Sequence, residues 1–530
     1  MDKKDFKNLL ILLPISIFAF FSNIWTRPAN LMEARNFITA REMIENDNFI
    51  ITTLNGFLRF EKPPLPTWFT ALIIKITGNM TDEYILRIPA ALTGVLFIVL
   101  LYYFIKITTN NSFKSFLTAF VGTSTFMLIK IGNENAWDIY PYVYAFGTVT
   151  FIIKGFQENK TRYFIISGIF TALSLLSKGP VAVYGLIIPF VIAHIYVYGI
   201  KNYKENWKNL LLMIFTSILL SGLWPAAVYL KYPDYFINVL LKEKNTWMNS
   251  HVESFIYYSD YFVYMGVWIF FSVMTLIKSW NERRSDDVQF SKFIFVWNVL
   301  IIVLLSFIKM KKKRYGLPIY MTSVIGVGNI CYYYYNKIWN ELKSSDKILL
   351  TLQGSFIAFI SFAVPLVVFT KGFLNGNIKA WYLILLMIIF IPFCYATVIS
   401  LIDKNAFTVK LIILGSGVLM LLTNATANWF FDRNFVKKTH EIIEYQKIKL
   451  VRKNPPALDI YSNNYEIEDV WRIGKYIKNY KENENMPDRF IFFGKVPKDI
   501  TDKYEIFKKE VYASDYGVLA ELNYLKKTEE

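Results

Sequence analysis

The chain has 530 residues, of which 54% are hydrophobic, 18% aromatic and only 19% charged, with a formal net charge of +17. Soluble domains carry about 25% charge, so this composition excludes a fully soluble protein, and its apolar content excludes intrinsic disorder. Two cysteines, Cys331 and Cys394, both in apolar stretches, exclude a disulfide framework and a cysteine-based zinc site; the basic residues sit between apolar segments, where membrane orientation accounts for them better than nucleic acid does.

A membrane crossing takes roughly 20 mostly apolar residues. The first candidate is Leu9–Trp25, preceded by Lys3, Lys4 and Lys7. Thr26-Arg27-Pro28 follows it in place of a small-residue cleavage site, so it reads as a retained anchor. Residues 26–83 form a long first outer loop. Twelve further spans follow at 84–106, 113–131, 137–154, 163–177, 180–198, 209–230, 259–279, 292–308, 316–335, 347–370, 379–401 and 409–427, thirteen in all. With the N-terminus cytoplasmic, the inner loops carry Lys154, Lys160 and Arg162, then Lys201, Lys204 and Lys208, then Lys278, Arg283 and Arg284, then Lys337, Lys343 and Lys347. That satisfies the positive-inside rule and puts the C-terminus outside. The division is thus a transmembrane domain over 1–427 and a soluble one over 428–530. The tail has a helix-like polar stretch from Asp469 to Asn483 and a strand-like run, Arg489-Phe490-Ile491-Phe492-Phe493, and reads as a small α/β domain.

Within the first outer loop, Leu31, Ala34, Ile38, Met43 and Ile44 are spaced as on an amphipathic helix lying along the interface. Glu33 and Arg35 cannot share one helix face, but at the first turn both can point toward a common cavity. Asn55-Gly56 signals a turn. Pro63 and Pro64 then force extended backbone before a new helix. Glu61 and Lys62 are held on that stiff segment, which suits the geometry of a site.

Later in the chain, Lys309-Met310-Lys311-Lys312-Lys313-Arg314 breaks the orientation rule, because this topology places it outside. It calls for either a flipped topology or a bound anion such as a phosphate at the outer face. Of the three histidines, His194 reads as a packed core residue and His440 carries no signal. His251, in an outer loop before Ser254-Phe255-Ile256-Tyr257-Tyr258, is a poor metal candidate alone, because zinc takes three or four ligands. Asp138, in Asn135-Ala136-Trp137-Asp138-Ile139, reads as a carboxylate at a helix N-terminus.

Four segments in order carry a resemblance. Glu33 to Trp68 (EAR…AREM…LNG…EKPPLPTW), Leu176-Ser177-Lys178-Gly179-Pro180, His251 before its aromatic run, and Lys313-Arg314-Tyr315-Gly316-Leu317-Pro318 resemble the lipid A aminoarabinose transferases and their relatives, the protein O-mannosyltransferases. Both are GT-C membrane glycosyltransferases that use polyprenyl-phosphate sugars. The resemblance implies a polytopic α-helical fold with about thirteen spans and a small extracytoplasmic α/β domain, in a bacterial inner membrane with the active site periplasmic. It implies that Lys62, Lys178, Arg314 and Tyr315 hold the donor phosphate, that Arg35 lines the same cavity, and that Glu61 and His251 bind a structural zinc or other divalent cation. It places an acidic residue at Asp138. In one respect the chain departs from the family: the first loop's catalytic Asp is here Met32, and only Glu33 remains of the Asp-Glu pair. Either Glu33 or Asp138 serves as base, or the acceptor needs little activation.

The expected activity is inverting transfer of a sugar (4-amino-4-deoxy-L-arabinose or a hexose) from a polyprenyl-phosphate donor to lipid A or another envelope glycolipid. No Asp-x-Asp motif stands in an outer loop to chelate a nucleotide-linked metal, which agrees with a donor that is not a nucleotide sugar and with no nucleotide cofactor. Preplaced cations would stabilise the leaving phosphate. A protein acceptor mannosylated from polyprenyl-phosphate mannose is the alternative. A transporter of lipid-linked sugars is the second, disfavoured because no repeated halves are visible and the charges cluster at one face.

Overall fold

A computed structural model describes residues 3–22, 24–25, 27–374, 378–405, 407–437, 452–481, 486–513 and 519–528; His440 lies outside them. Among the described residues, six helices are long and apolar enough to cross a membrane: Glu83–Thr109, Trp207–Lys231, Val288–Phe307, Ser344–Phe373, Ala380–Asp403 and Thr408–Thr426. A seventh crossing results if Ser112–Thr123 and Phe126–Gly132 act together across a 66° bend. The bend has a local cause. Thr123, Ser124 and Thr125 each donate a side-chain hydrogen bond to a carbonyl one turn back, at Phe120, Phe120 and Val121 (2.7–2.8 Å), which tilts the backbone ladder.

The helices Lys3–Phe21, Ile139–Glu158, Thr161–Lys178 and Leu317–Tyr335 occupy other expected spans. Three stretches depart from expectation. The segment over 259–279 is no continuous helix but 3₁₀ turns, Phe255–Tyr258 and Tyr261–Trp268, running into the short helix Ile269–Met274. Gly266 makes the break: its φ is +69°, and a Cβ there would meet Phe126 Cβ at 2.9 Å. The helix Pro233–Asn249, opened by proline at its first position, lies in a stretch the sequence leaves as loop. The last span, expected to stop at 427, belongs to a helix that runs on to Lys437.

The bundle packs around aromatic rings. Trp297 touches Phe104, Phe146, Phe190 and Phe293 at centroid distances of 5.3–6.4 Å. Its buried indole N–H needs an acceptor and finds the Leu186 carbonyl at 3.2 Å, within the π-turn Val183–Ile187 that opens the helix Ile188–Tyr198.

The C-terminal residues form one five-stranded sheet. Its strands are β3 (Ile460–Ser462), β4 (Ile477–Asn479), β5 (Arg489–Phe493), β6 (Tyr504–Ala513) and β7 (Leu519–Lys527); β1 and β2 are the hairpin Thr53–Leu54 and Phe57–Leu58 in the first loop. The order is β4-β3-β5-β7-β6, with β3 parallel to both neighbours and the β5–β7–β6 side antiparallel. The polar stretch from Asp469, expected as one helix to Asn483, splits: Ile467–Ile473 is helical, Gly474 at φ +79° ends it, and β4 follows.

This sheet and its helix rest on the first loop. Ala34, Phe37, Ile38 and Met43 of the helix Leu31–Glu45 share one core with Ala71 and Ile74 of Leu65–Thr77 and with Val470, Trp471 and Ile477. The helix Leu31–Glu45 is therefore buried between two layers of protein. The β1–β2 turn at Asn55-Gly56 has φ +53° and +79° and reaches the same C-terminal unit. Asn55 Nδ2 donates to the Ile477 carbonyl at 2.8 Å, and its Oδ1 accepts from the Ile477 N–H at 3.0 Å.

Candidate functional site

Several helix ends converge on one cavity of about 420 Å³. Lys178 ends the helix Thr161–Lys178, Asp138 precedes Ile139–Glu158, and Arg314 and Tyr315 lie in the turn Lys313–Gly316 before Leu317–Tyr335. Lys62, Lys178 and Tyr315 line the cavity together with Met32. Val181, Leu305, Ile308 and Trp247 give it an apolar wall. The lining thus combines two ammonium groups with a mostly apolar wall.

Asp138 is the hub of the charged groups. Its side chain is 3% exposed, bonded by the Lys178 ammonium and approached by Arg314 Nη1 at 3.4 Å. The Lys178 ammonium also sits 4.4 Å from the centre of the Tyr315 ring. Burial draws Arg314 down, but Asp138 and Glu134 outweigh it and hold the guanidinium above its ordinary value. Burial pulls Lys312 down, and the neighbouring charges of Arg314, Lys178 and Arg35 pull it further. Lys178, Arg314 and Lys312 therefore crowd one buried carboxylate, a field that favours a second anion. Burial also holds the Tyr315 phenol un-ionised, a hydrogen-bond donor.

Lys62 is tied across to the helix Pro233–Asn249. Its ammonium is 2.8 Å from Glu243, while Lys242 lies 3.9 Å from Glu61, so two adjacent opposite charges face two others. Burial lowers the Lys62 pKa below the usual lysine range, with Glu243 opposing. Arg59, two residues before Glu61, is buried. Its guanidinium stacks 4.8 Å from the Trp137 ring and donates to Thr39 Oγ1 at 3.2 Å, and burial lowers it to about 10.

The expected partners Glu33 and Arg35 do not share a cavity. Glu33 turns inward. It accepts Arg87 Nε at 2.6 Å and Nη2 at 2.8 Å, and the Asn135 N–H at 3.0 Å. It also closes a capping box, accepting the Asn30 N–H at 3.2 Å while Asn30 Oδ1 caps Met32 and Glu33. Every lone-pair direction of this carboxylate is used. Arg35 turns the other way, its Nη1 4.0 Å from Met32 Sδ. Of the basic run, Lys313 is bound by Asp260 (2.7 and 2.9 Å) and the Tyr257 ring (3.9 Å), and Lys311 by the Glu253 carbonyl at 3.0 Å.

Glu61 and His251 do not fit a zinc site. His251 is exposed and held at φ +50°, with its carbonyl accepting the Lys311 N–H at 3.1 Å. Glu61 faces Lys242, a cation. Among the described residues no three His, Cys, Asp or Glu side chains converge, whereas zinc takes three or four ligands.

Sequence reasoning passed over Arg87, Arg59, Glu134 and Glu243. A lone arginine inside an apolar run is itself a signal, since a charge in a span demands a partner. Nothing local marks Glu243, which meets Lys62 from 181 residues away.

Residues 61–224 match the family model described as dolichyl-phosphate-mannose-protein mannosyltransferase. An uncharacterised protein of Aquifex aeolicus is 27% identical over 60% of this chain and 62% of its own length. An undecaprenyl phosphate-alpha-4-amino-4-deoxy-L-arabinose arabinosyl transferase of Photorhabdus laumondii is 24% identical over 54% of this chain and 52% of its own. The chain thus spans under two thirds of either relative. In three dimensions, ArnT from Cupriavidus metallidurans with undecaprenyl phosphate bound superimposes with a TM-score of 0.72 at 13% identity, over 98% of this chain and 97% of that one. An Archaeoglobus fulgidus oligosaccharyltransferase gives 0.50 at 11%, over 90% and 64%. The six long apolar helices among the described residues make the chain a multi-pass membrane protein.

Proposed function

We propose that this chain, which has the GT-C fold, transfers a sugar from a polyprenyl-phosphate donor to an envelope lipid acceptor. One observation carries the reading: an apolar cavity lined by Lys62, Lys178 and Tyr315 and by Leu305, Ile308 and Val181 matches a hydrocarbon chain with a phosphate head. Lys62 and Lys178 grip the phosphate, the Tyr315 hydroxyl donates to it, and Arg314 and Arg35 complete the charge. As the anomeric C–O bond breaks, negative charge builds on the phosphate, and cations fixed in a low-dielectric site stabilise that state more than the bound donor. Asp138 orients Lys178 and Arg314 by holding both. Glu33, locked by Arg87, positions the first turn of its helix.

Lys62→Ala or Arg314→Ala is expected to lower transfer about 10²–10³-fold, as loss of one charge-stabilising donor does, while thermal unfolding in detergent stays close to wild type. Unchanged turnover in either variant would sink the phosphate clamp. Mannosylation of a protein acceptor is the second reading, favoured by the family model over residues 61–224. Offering lipid A and a serine-bearing peptide side by side separates the two.

The same reading sets the cavity, residues 26–83 and the C-terminal sheet on the periplasmic side and the N-terminus in the cytoplasm. The support is contact: Lys62, Lys178, Asp138 and Arg314 meet at one end of the bundle, and the C-terminal core includes the first-loop helix. Cysteines placed at Lys62 and Arg314 should react with an impermeant thiol reagent from the periplasm. Labelling from opposite faces would refute this.

A further inference from the structure

We propose that Glu134 is the general base of the transfer, taking the proton from the acceptor as it attacks; this role presupposes the glycosyl-transfer reading above. The other carboxylates around the cavity are already engaged. Met32, which lines the cavity, brings a thioether where a carboxylate would serve. Glu33 is saturated by Arg87, Asn135 and Asn30 and is 1% exposed. Asp138, 3% exposed, is held by Lys178 and Arg314. Glu243 is bound to Lys62, and Glu61 stands between Arg59 and Lys242.

Glu134 differs from all of these. It lies in the short link between the helices Phe126–Gly132 and Ile139–Glu158. Its contacts are long: Asn30 Nδ2 at 3.5 Å and Arg27 Nη1 at 3.9 Å. Its side chain is 18% exposed, so a proton can reach it. Asn30 caps the turn that carries Met32, which sets Glu134 against the first turn of Leu31–Glu45. The charged groups facing it are Glu33, Arg314, Lys130 and Arg27. Burial, reinforced by the charge of Glu33, raises its pKa above the usual carboxylate range, with the three cations opposing. A carboxylate so tuned is the better base near neutral pH. Arg314 couples it to the donor, because that guanidinium feels both Asp138 and Glu134. When a donor phosphate engages Arg314, Glu134 loses part of a cation's pull and becomes more basic as the complex forms.

In the step itself, the acceptor O–H or N–H bond breaks and its proton passes to the Glu134 carboxylate. The freed lone pair forms the bond to the anomeric carbon, and the anomeric C–O bond breaks, its electron pair leaving with the polyprenyl phosphate.

The test uses the full chain in detergent with two donors, undecaprenyl phosphate bearing 4-amino-4-deoxy-L-arabinose and undecaprenyl phosphate mannose, and with lipid A and a serine-bearing peptide as acceptors. Glu134→Gln should lower kcat about 10²–10⁴-fold, keep the donor KM, and keep the thermal shift given by undecaprenyl phosphate. The acid limb of the kcat–pH profile should vanish. Glu134→Asp should retain part of the rate. Met32→Asp in the Glu134→Gln background should restore part of it, since Met32 lines the cavity. Wild-type turnover in Glu134→Gln, or an unchanged acid limb, overturns the assignment. So does loss of the undecaprenyl phosphate shift in both Glu134 variants, which would make the residue structural. If the wild-type chain forms no new glycosidic bond from either donor, the glycosyl-transfer reading itself falls and takes this role with it.

Discussion

Arg87 and Glu33 show how one side chain's partner decides its role. Arg87 is 3% and Glu33 1% exposed, and they meet through two parallel hydrogen bonds of 2.6 and 2.8 Å. Arg87 also donates to the carbonyls of Ile24 and Arg27 at 2.8 Å, so the pair joins the first span, the first-loop helix and the second span. Breaking a buried pair by deleting one partner leaves an unpaired charge and costs about 3–5 kcal/mol. Glu33→Ala and Arg87→Ala should therefore both lower the thermal midpoint in detergent. A Glu33→Ala chain with full stability and no turnover would instead return Glu33 to the chemistry. The sequence marks Glu33 as an acid on a helix's first turn. It cannot show a counter-ion 54 residues away, and so the pairing with Arg87 appears only in the fold. Asp138, Lys178 and Arg314 each sit in a short motif of the sequence, and the fold brings those motifs into contact. Glu134 has no such motif, and its contacts with Asn30 and Arg27 come from the distant first loop.

At the scale of elements, what hydropathy can read is what repeats. Glu83–Thr109, Val288–Phe307 and Ala380–Asp403 are uniformly apolar, and their expected ends fall within a few residues of the observed ones. The stretch over 259–279 is just as apolar, yet a single positive φ at Gly266 divides it, and no hydropathy window registers a dihedral. The helix Pro233–Asn249 fails to show for the opposite reason. It carries Lys242, Glu243 and Lys244 and is mostly exposed, so it resembles a loop. Its place is fixed by contact. Trp247 closes the cavity wall, and Lys242 and Glu243 answer Glu61 and Lys62. The Glu61-Lys62-Pro63-Pro64 segment was expected to be stiff; the reason it must be stiff is that two charges have to meet two others in register.

For the whole molecule, the joint between the C-terminal unit and the first loop bears on the site. Glu83 Oε1 accepts from Arg452 Nη1 at 3.0 Å and from Trp471 Nε1 at 2.9 Å, and the Trp471 ring stacks 5.0 Å from Phe37 of the helix Leu31–Glu45. Arg452 is buried and lies 4.3 Å over the Trp471 ring, and its Nε and Nη2 have no hydrogen-bond partner among the described residues. In Glu83→Ala the guanidinium loses its carboxylate in an apolar core, at a cost of about 3–5 kcal/mol. That cost falls on the docking of the unit, because the sheet keeps its own core around Phe490, Phe492 and Leu525. The expected result is faster hydrogen exchange in the helix Leu31–Glu45 and faster proteolysis between it and the C-terminal strands, with the spans unchanged. Met32 and Arg35 stand on that helix, so undecaprenyl phosphate should also bind more weakly. If Glu83→Ala left both exchange and binding at wild-type values, the C-terminal unit would be a passenger. If exchange rose and binding held, the cavity would owe its shape to the spans alone. Weakening of both together is the outcome that ties the C-terminal sheet, through one helix, to the binding of undecaprenyl phosphate.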